Sequence, residues 1–417
     1  MIVDFSVQNF RSIHDLQTLA MNAAHIVSKN KDIDKRNLIP VSNKLSVLKT
    51  KAIYGANASG KSTMIAAIAS FVKIVANSVK DEGILKAEID RFRLSDDQLA
   101  TPTYFQLSFI YKNVDYRYGF EATKDEIVAE WLFGTPGKKE VHFFTREKNE
   151  IQVNENQFQE RAKVIDLYKQ SSNEIARKNS LFLTVVRSFN QGLAWEIIEY
   201  ISGYIIISGL SDFKMHVMAE ESMDNEPMRK KMLELLQMAD TGIEDIFRLE
   251  YEPDSIKGSP PKYLTVTRHK KLDKEGKSGE AVNFFMLIDE SEGTKKMFEI
   301  SPAIFQALEQ GKVLILDEFD ARFHPLLSRK IVELFNSIAN RTAQFIFATH
   351  DTNLLNPHLL RRDQICFVEK DRQGASNFYS LADFKGVRND ASYEKDYIMG
   401  RYGAIPFLGD FNSLLEK

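Results

Sequence analysis

The sequence predicts an α/β protein with a parallel sheet at its core, and three stretches carry that expectation. Residues 48–75 read as a strand, a glycine-containing turn and an apolar-periodic helix. The last third alternates helices over 295–308 and 325–339 with strands over 312–316 and 343–348, the pattern of parallel βαβ units. Residues 92–131 instead alternate apolar with polar, as in Tyr104-Phe-Gln-Leu-Ser-Phe-Ile-Tyr111, and Val141-His-Phe-Phe-Thr145 continues the pattern, which predicts an antiparallel meander beside that core.

The chain begins Met1-Ile-Val-Asp-Phe-Ser-Val, an alternating strand without the basic and apolar regions of a signal peptide. Its longest apolar runs, such as Leu181-Phe-Leu-Thr-Val-Val186, fall well short of the ~20 residues a membrane helix needs, so a soluble cytoplasmic protein with no membrane partner is expected. Between 156 and 240 the texture turns helical, as over 226–239, and strands return at 246–251 and 263–267. A charged tip at 268–279 separates the latter from a strand at 281–288 and reads as a solvated hairpin.

Composition narrows the classes. With 43% hydrophobic residues the 417-residue chain has material for two or three domains or one large interrupted domain, and wholesale disorder is excluded. The 55 Lys and Arg against 58 Asp and Glu leave −3, which excludes a polybasic coat; any DNA contact would have to come from a local patch. The single Cys366 excludes an internal disulfide framework and a cysteine-clustered zinc site, and Gln-Ile-Cys-Phe-Val places it in a buried strand.

Four motifs carry chemistry. Gly55-Ala-Asn-Ala-Ser-Gly-Lys-Ser-Thr63 fits G-x-x-x-x-G-K-[ST] in the strand–loop–helix context that motif requires. Its glycines let Gly55, Asn57, Ser59, Gly60 and Thr63 wrap the backbone round a phosphate, Lys61 supplies a positive charge, and Ser62 offers a hydroxyl to Mg²⁺. Lys312-Val-Leu-Ile-Leu-Asp-Glu318 is an apolar strand ending in two acids; Asp317 suits the metal shell and Glu318 suits polarising a water. Gln344-Phe-Ile-Phe-Ala-Thr-His350 puts a histidine at the end of another buried strand, where ligands bind in open sheets, although a packing histidine has the same look. Asp289-Glu-Ser-Glu-Gly-Thr-Lys295 precedes a helix; Ser291 is a good helix cap, and with Gly293 could form a second anion cradle.

Taken together these pieces resemble the ABC-type ATPase heads of the SMC/RecF group, and most closely the compact bacterial AAA-type ATPases of the RecF-like and abortive-infection kind. The matching residues are Gln8-Asn-Phe-Arg-Ser12, the phosphate loop (Walker A), Ser291-Glu-Gly-Thr-Lys295 in the signature position, Asp317-Glu-Phe-Asp-Ala-Arg-Phe-His-Pro325 as Walker B and D-loop, Thr349-His350, and the tail Gly400-Arg-Tyr-Gly-Ala-Ile-Pro406. The resemblance implies an ABC-type P-loop NTPase head, a parallel α/β core plus antiparallel β-lobe, with an inserted helical arm. It divides the chain into 1–131, an arm over 132–280, and 281–417. It implies an ATPase using ATP and Mg²⁺, with Glu318, His350 and Lys61 in catalysis. It also implies a homodimer or higher homo-oligomer in which Ser291 and Gly293 of one subunit face the ATP on Walker A of the other. By the same resemblance Arg11 lies near the ribose and phosphates, and Asp320 at the dimer seam.

Two departures stand out: the signature is not Leu-Ser-Gly-Gly-Gln, and the Q-loop glutamine is either Gln98 or Gln106, the latter in a strand-like run where packing is the competing reading. The 230 positions between Lys61 and Ser291 are too few for long coiled coils and too many for a transporter subunit. The resemblance implies anti-phage defence, of the type of the PARIS ATPase, with a separately encoded nuclease or toxin effector; no HNH-like or TOPRIM-like centre is visible in this chain. A DNA-repair or chromosome-maintenance ATPase acting directly on DNA is the alternative.

Overall fold

The computed structural model describes residues 1–26, 28, 31–95, 101–154, 156–158, 176–189, 192–208, 213–239, 241–251, 262–272, 278–387, 392–406 and 409. In chain order, β1 (Ile2–Gln8) and β2 (Gln17–Ala20) precede the short helix α1 (Lys31–Asn37) and a small hairpin of β3 (Leu38–Pro40) and β4 (Ser46–Leu48). Then come β5 (Thr50–Tyr54), α2 (Lys61–Asn77) and α3 (Ile84–Glu88). The meander is β6 (Thr103–Tyr111), β7 (Val114–Ala122), β8 (Ile127–Thr135), β9 (Val141–Glu147) and β10 (Glu150–Val153). After it lie α4 (Phe182–Arg187), α5 (Leu193–Ser202), β11 (Ile205–Ser208), α6 (Phe213–Ser222) and α7 (Glu226–Met238). A second antiparallel sheet follows, of β12 (Ile243–Tyr251), β13 (Lys262–Leu272) and β14 (Ser278–Phe285). The chain finishes with α8 (Glu292–Gln310), β15 (Val313–Asp317), α9 (Pro325–Phe335), β16 (Gln344–Ala348), β17 (Ile365–Lys370), β18 (Ser376–Ser380) and α10 (Tyr393–Ile398).

Among the described residues two large sheets dominate. The core sheet runs β11-β15-β16-β5-β17-β18, parallel except for the edge strand β18. All five residues of β5 and of β16 are buried, as expected of parallel strands covered on both faces. The lobe is the antiparallel sheet β10-β9-β8-β7-β6-β1-β2. This is the expected parallel α/β core with an antiparallel β-lobe.

The division of the chain differs from the sequence reading in two places. Residues 132–153, assigned to the arm, complete β8 and supply β9 and β10 of the lobe sheet. Residues 205–208, also assigned there, are β11, the edge strand of the core paired with β15. The physical reason is local: a four-residue apolar strand framed by helices has no periodicity to separate it from them. Of the charged tip, residues 273–277 lie outside the described residues.

Helix α2 joins the two sheets. Its buried residues Met64, Ile68, Phe71 and Val75 recur at helical spacing. They share one apolar cluster with Ile53, Ile315 and Ile346 of the core sheet and with Phe5, Phe105 and Phe120 of the lobe. The Phe71 ring stacks on Phe120 at 5.5 Å and meets Phe5 edge-on at 5.6 Å. The opposite face of the core, through Ala52, Leu314, Leu316 and Phe347, packs on α8 and α9.

The lobe is pinned to α4 by a buried carboxylate. Glu130 on β8 accepts the backbone N–H groups of Phe182 at 2.6 Å and Leu183 at 3.0 Å, and the Tyr118 hydroxyl at 2.9 Å. Arg146 on β9, 3.8 Å away and also buried, donates to the Ser180 carbonyl at 2.6 Å. Removing only one partner strands the other's charge without water. Glu130→Leu is therefore expected to cost about 3–5 kcal/mol, measured as a lowered urea midpoint; an unchanged midpoint would remove Glu130 from the anchoring role. No helix among the described residues is long and apolar enough to cross a membrane.

Candidate functional site

The site forms where three parallel strands end side by side. Leu316 pairs with Phe347 and Ala348 with Ile53, so the carboxyl ends of β15, β16 and β5 lie level. At roughly 5 Å between strands, about 10 Å separates the β15 end from the β5 end, with His350 leaving from the strand between.

After β5 the chain must turn back into α2 while leaving its amides open. Ala58 (φ 61) and Gly60 (φ 115) take left-handed conformations to do so. A Cβ on Gly55 would stand 2.4 Å from the Val368 carbonyl oxygen, and one on Gly60 would stand 2.1 Å from Ser376 Oγ. Behind the loop, Ser376 Oγ lies 2.6 Å from the Ser59 carbonyl oxygen and 2.8 Å from Ser12 Oγ, which is 2.9 Å from Thr63 Oγ1. The phosphate loop is thus braced by the lobe, through Ser12, and by the edge strand, through Ser376. Thr63 turns its hydroxyl into this brace, whereas Asn57 and Ser62 are exposed.

Lys61 is 7% exposed and donates to the carbonyls of Gly55 at 2.9 Å and Ala56 at 3.1 Å. Burial lowers its pKa, and the negative charges of Asp317, Glu318 and Asp320 work against that shift. These acids come from the turn after β15. Glu318 N–H donates to Asp317 Oδ1 at 3.1 Å, and Phe319 N–H donates to the Ala348 carbonyl at 3.0 Å. Glu318 sits at φ 49, a conformation costing a non-glycine residue about 1–2 kcal/mol, so the surrounding bonds hold it there. Asp320 Oδ1 accepts the His350 N–H at 3.2 Å, tying this turn to the end of β16. The histidine's pKa is lowered, first by desolvation and then by the Lys61 charge, with the three acids opposing. Lys61, Asp317, Glu318, Asp320 and His350 therefore form one electrostatic cluster.

Three other expected residues, Ser291, Gly293 and Arg11, sit apart from it. Ser291 caps α8, its Oγ accepting the Thr294 N–H at 3.1 Å. Gly293 packs so closely that a Cβ would stand 3.2 Å from the Arg322 carbonyl oxygen, and Glu292 pairs with Arg322 at 2.7 Å. The signature stretch thus abuts the far end of the turn that begins at Asp317. Arg11 (φ 47) is about half exposed, with its Nε 3.5 Å from Asp90 Oδ2. Of the two glutamines, Gln106 accepts from Trp131 Nε1 at 3.1 Å within the lobe sheet, and Gln98 lies outside the described residues. Sequence reasoning missed Ser376 and Lys296. Ser376 opens β18 just after a polar turn and carries no motif of its own, and Lys296 reads as the second of two helix-surface lysines.

The residues fit a nucleotide triphosphate with Mg²⁺. Ser59 Oγ is buried without a partner among the described atoms, beside Gly55, where a Cβ would stand 2.5 Å from it. No group of three His, Cys, Asp or Glu among the described residues could hold an ion. A Mg²⁺ held by Ser62, Asp317, phosphates and water needs none.

The family profile described as “AAA domain, putative AbiEii toxin, Type IV TA system” matches residues 52–356, which span Walker A, the signature stretch, Walker B and His350. A comparison with the curated proteins finds no match. Among solved structures, the Smc head bound to the C-winged helix domain of ScpA is 14% identical, with 91% of this chain and 97% of that one covered and a TM-score of 0.42. The SMC head domain from Thermotoga maritima is 11% identical, with 91% and 98% covered and a TM-score of 0.40. The Smc head domain with an extended coiled coil, bound to the C-terminal domain of ScpA derived from Pyrococcus furiosus, is 13% identical, with 96% and 98% covered and a TM-score of 0.42.

Two outcomes follow from this geometry. Gly60→Ala forces a side chain onto Ser376 at a positive φ, and should weaken binding of a fluorescent ATP analogue by about tenfold or more; an unchanged Kd would show that the brace yields. For His350, the disfavoured imidazolium means half-protonation below the ordinary pH of 6.5, read from its ring resonances by NMR. Stability contributed by the neutral ring is then present above that pH and declines as pH falls below it. A titration midpoint above 6.5 would contradict the lowered pKa.

Proposed function

The chain belongs to the AAA-domain family of putative AbiEii toxins and type IV toxin–antitoxin systems, and we propose that it is an ATPase that hydrolyses ATP to ADP and phosphate. One observation carries this: Lys61, Asp317, Glu318, Asp320 and His350 meet where β5, β15 and β16 end. The loop amides and Lys61 hold the phosphates, with Ser62 and Asp317 holding Mg²⁺. When bound, the ion offsets charge on the phosphate oxygens. Glu318 accepts the proton of the attacking water, and its strained, over-determined backbone keeps the carboxylate aimed. Asp320 fixes the backbone of His350, whose lowered pKa keeps its ring neutral at pH 7.

The position of Ser291 and Gly293 supports the further reading of an ATP-sandwiched homodimer. They abut the outer end of the catalytic turn, outside the cluster around Lys61, where their helix start can meet the phosphates of a second subunit. In that reading ATP-driven dimerisation controls a separately encoded nuclease or toxin effector in anti-phage defence, to which the family's toxin–antitoxin description lends support. Glu318→Gln should keep ATP binding while lowering turnover by ~10²–10⁴. It should also accumulate an ATP-dependent dimer or larger assembly in light scattering. A variant that hydrolyses at the wild-type rate would remove Glu318 as base, and one that stays monomeric with ATP would sink the sandwich.

A further inference from the structure

The hydrolytic reading above makes no use of a lysine buried in the second turn of α8. Lys296 is 2% exposed, yet its ammonium finds three backbone acceptors in one turn. It donates to the carbonyl of Phe319 at 3.0 Å, to that of Ala321, and to that of Glu318 at 3.4 Å. Beneath it lies the Phe323 ring, its centroid 4.6 Å from Nζ. The nearby Glu292 is taken by Lys295 and Arg322, while Asp320, Glu318 and Glu299 act on Lys296 only through space.

A buried ammonium must be solvated by what surrounds it, and here peptide dipoles do so. Burial accordingly holds its pKa down, to about 8. Dependence runs both ways: moving the turn strips the ammonium of its acceptors, and removing the ammonium leaves three carbonyls crowded without a donor. The turn so gripped is the one that holds Glu318 at φ 49 and sets Asp320 against His350. Glu292 and Gly293, one helical turn earlier, touch the same segment at Arg322.

We propose that Lys296 is a positioning residue that makes the helix start at Ser291 and the Glu318 turn a single rigid body. An anion engaged at Ser291 is thereby transmitted to the hydrolytic carboxylate of the same chain. This rests on the ATPase reading above, and in a sandwiched dimer it couples the two ATP sites, because Ser291 serves one and Glu318 the other.

The test compares Lys296→Met, which keeps the length without donors, with Lys296→Gln, which keeps two donors without charge. Backbone amide exchange over 318–323 is measured without nucleotide, alongside steady-state hydrolysis and binding of a fluorescent ATP analogue. The Met variant should exchange about tenfold faster over that turn, because its opening no longer strands a cation. Its kcat should fall on the order of 10²-fold, the scale of a 1 Å misplacement, while KM and analogue Kd stay within about twofold. The Gln variant should fall between Met and wild type. Unchanged exchange and kcat in the Met variant, or a loss of Kd as large as the loss of kcat, would overturn the proposal. Should the Met variant not fold, the same comparison of Gln with wild type decides. If wild type hydrolyses nothing, the ATPase reading fails alone, since the exchange measurement needs no nucleotide.

Discussion

Everything else in this structure depends on where α2 begins. Its first residue is Lys61, the loop before it is the one proposed to hold the phosphates, and its apolar side fills the space between the parallel sheet and the antiparallel lobe. The anchor of that packing is Phe71, fully buried among the rings of Phe5, Phe105, Tyr118 and Phe120. Truncating such a side chain typically costs about 3–5 kcal/mol. A helix fixed so firmly cannot drift along its axis, so the amides at its start are held ready before any ligand arrives. The hydrophobic core and the phosphate site are then two ends of one constraint.

The positive charges of the site illustrate how a low-dielectric pocket is kept from collapsing on itself. Lys61 and Lys296 are both buried, and both have lowered pKa values whose leading cause is desolvation. Each ammonium is received by backbone carbonyls rather than by a directly bonded carboxylate. For Lys61 this leaves Asp317 and Glu318 without a bond to it, as their proposed roles toward a metal ion and a water require. A direct Lys61–Asp317 bond would have been the stronger contact in isolation, but it would have occupied the groups the proposed chemistry needs.

Much of this was legible in the sequence because the informative residues are local in the chain. The strand–loop–helix at 48–75, the apolar strands before Asp317 and His350, and the cap at Ser291 each follow from neighbours within ten positions, and each stands where it was expected. What was not legible depends on pairing across long separations. Residues 205–208 join the core because they find β15 far along the chain, and nothing in their own composition marks that fate. The same holds for Ser376, which reaches Ser59 and Ser12 from the edge strand, and for Lys296, whose importance comes from carbonyls that carry no sequence signature. Backbone acceptors are identical at every residue, so a side chain that works through them is silent in the sequence.

That silence explains why the signature stretch and Walker B read as two motifs, although Lys296 ties one to the other through backbone carbonyls. Ser291 and Lys296 are five residues apart on a continuous helix, about 7.5 Å of axial rise. Over that distance a helix anchored by Met297, Phe298 and Ile300 in the core does not bend to accommodate one end alone. The turn from Asp317 to Phe323 is held at its start by β15, in its middle by Lys296 and at its end by the Glu292–Arg322 pair. In the proposed coupling, moving this turn also moves the start of α8. In the proposed function, the ligand contact at Ser291 and the handling of water by Glu318 are therefore coupled through Lys296.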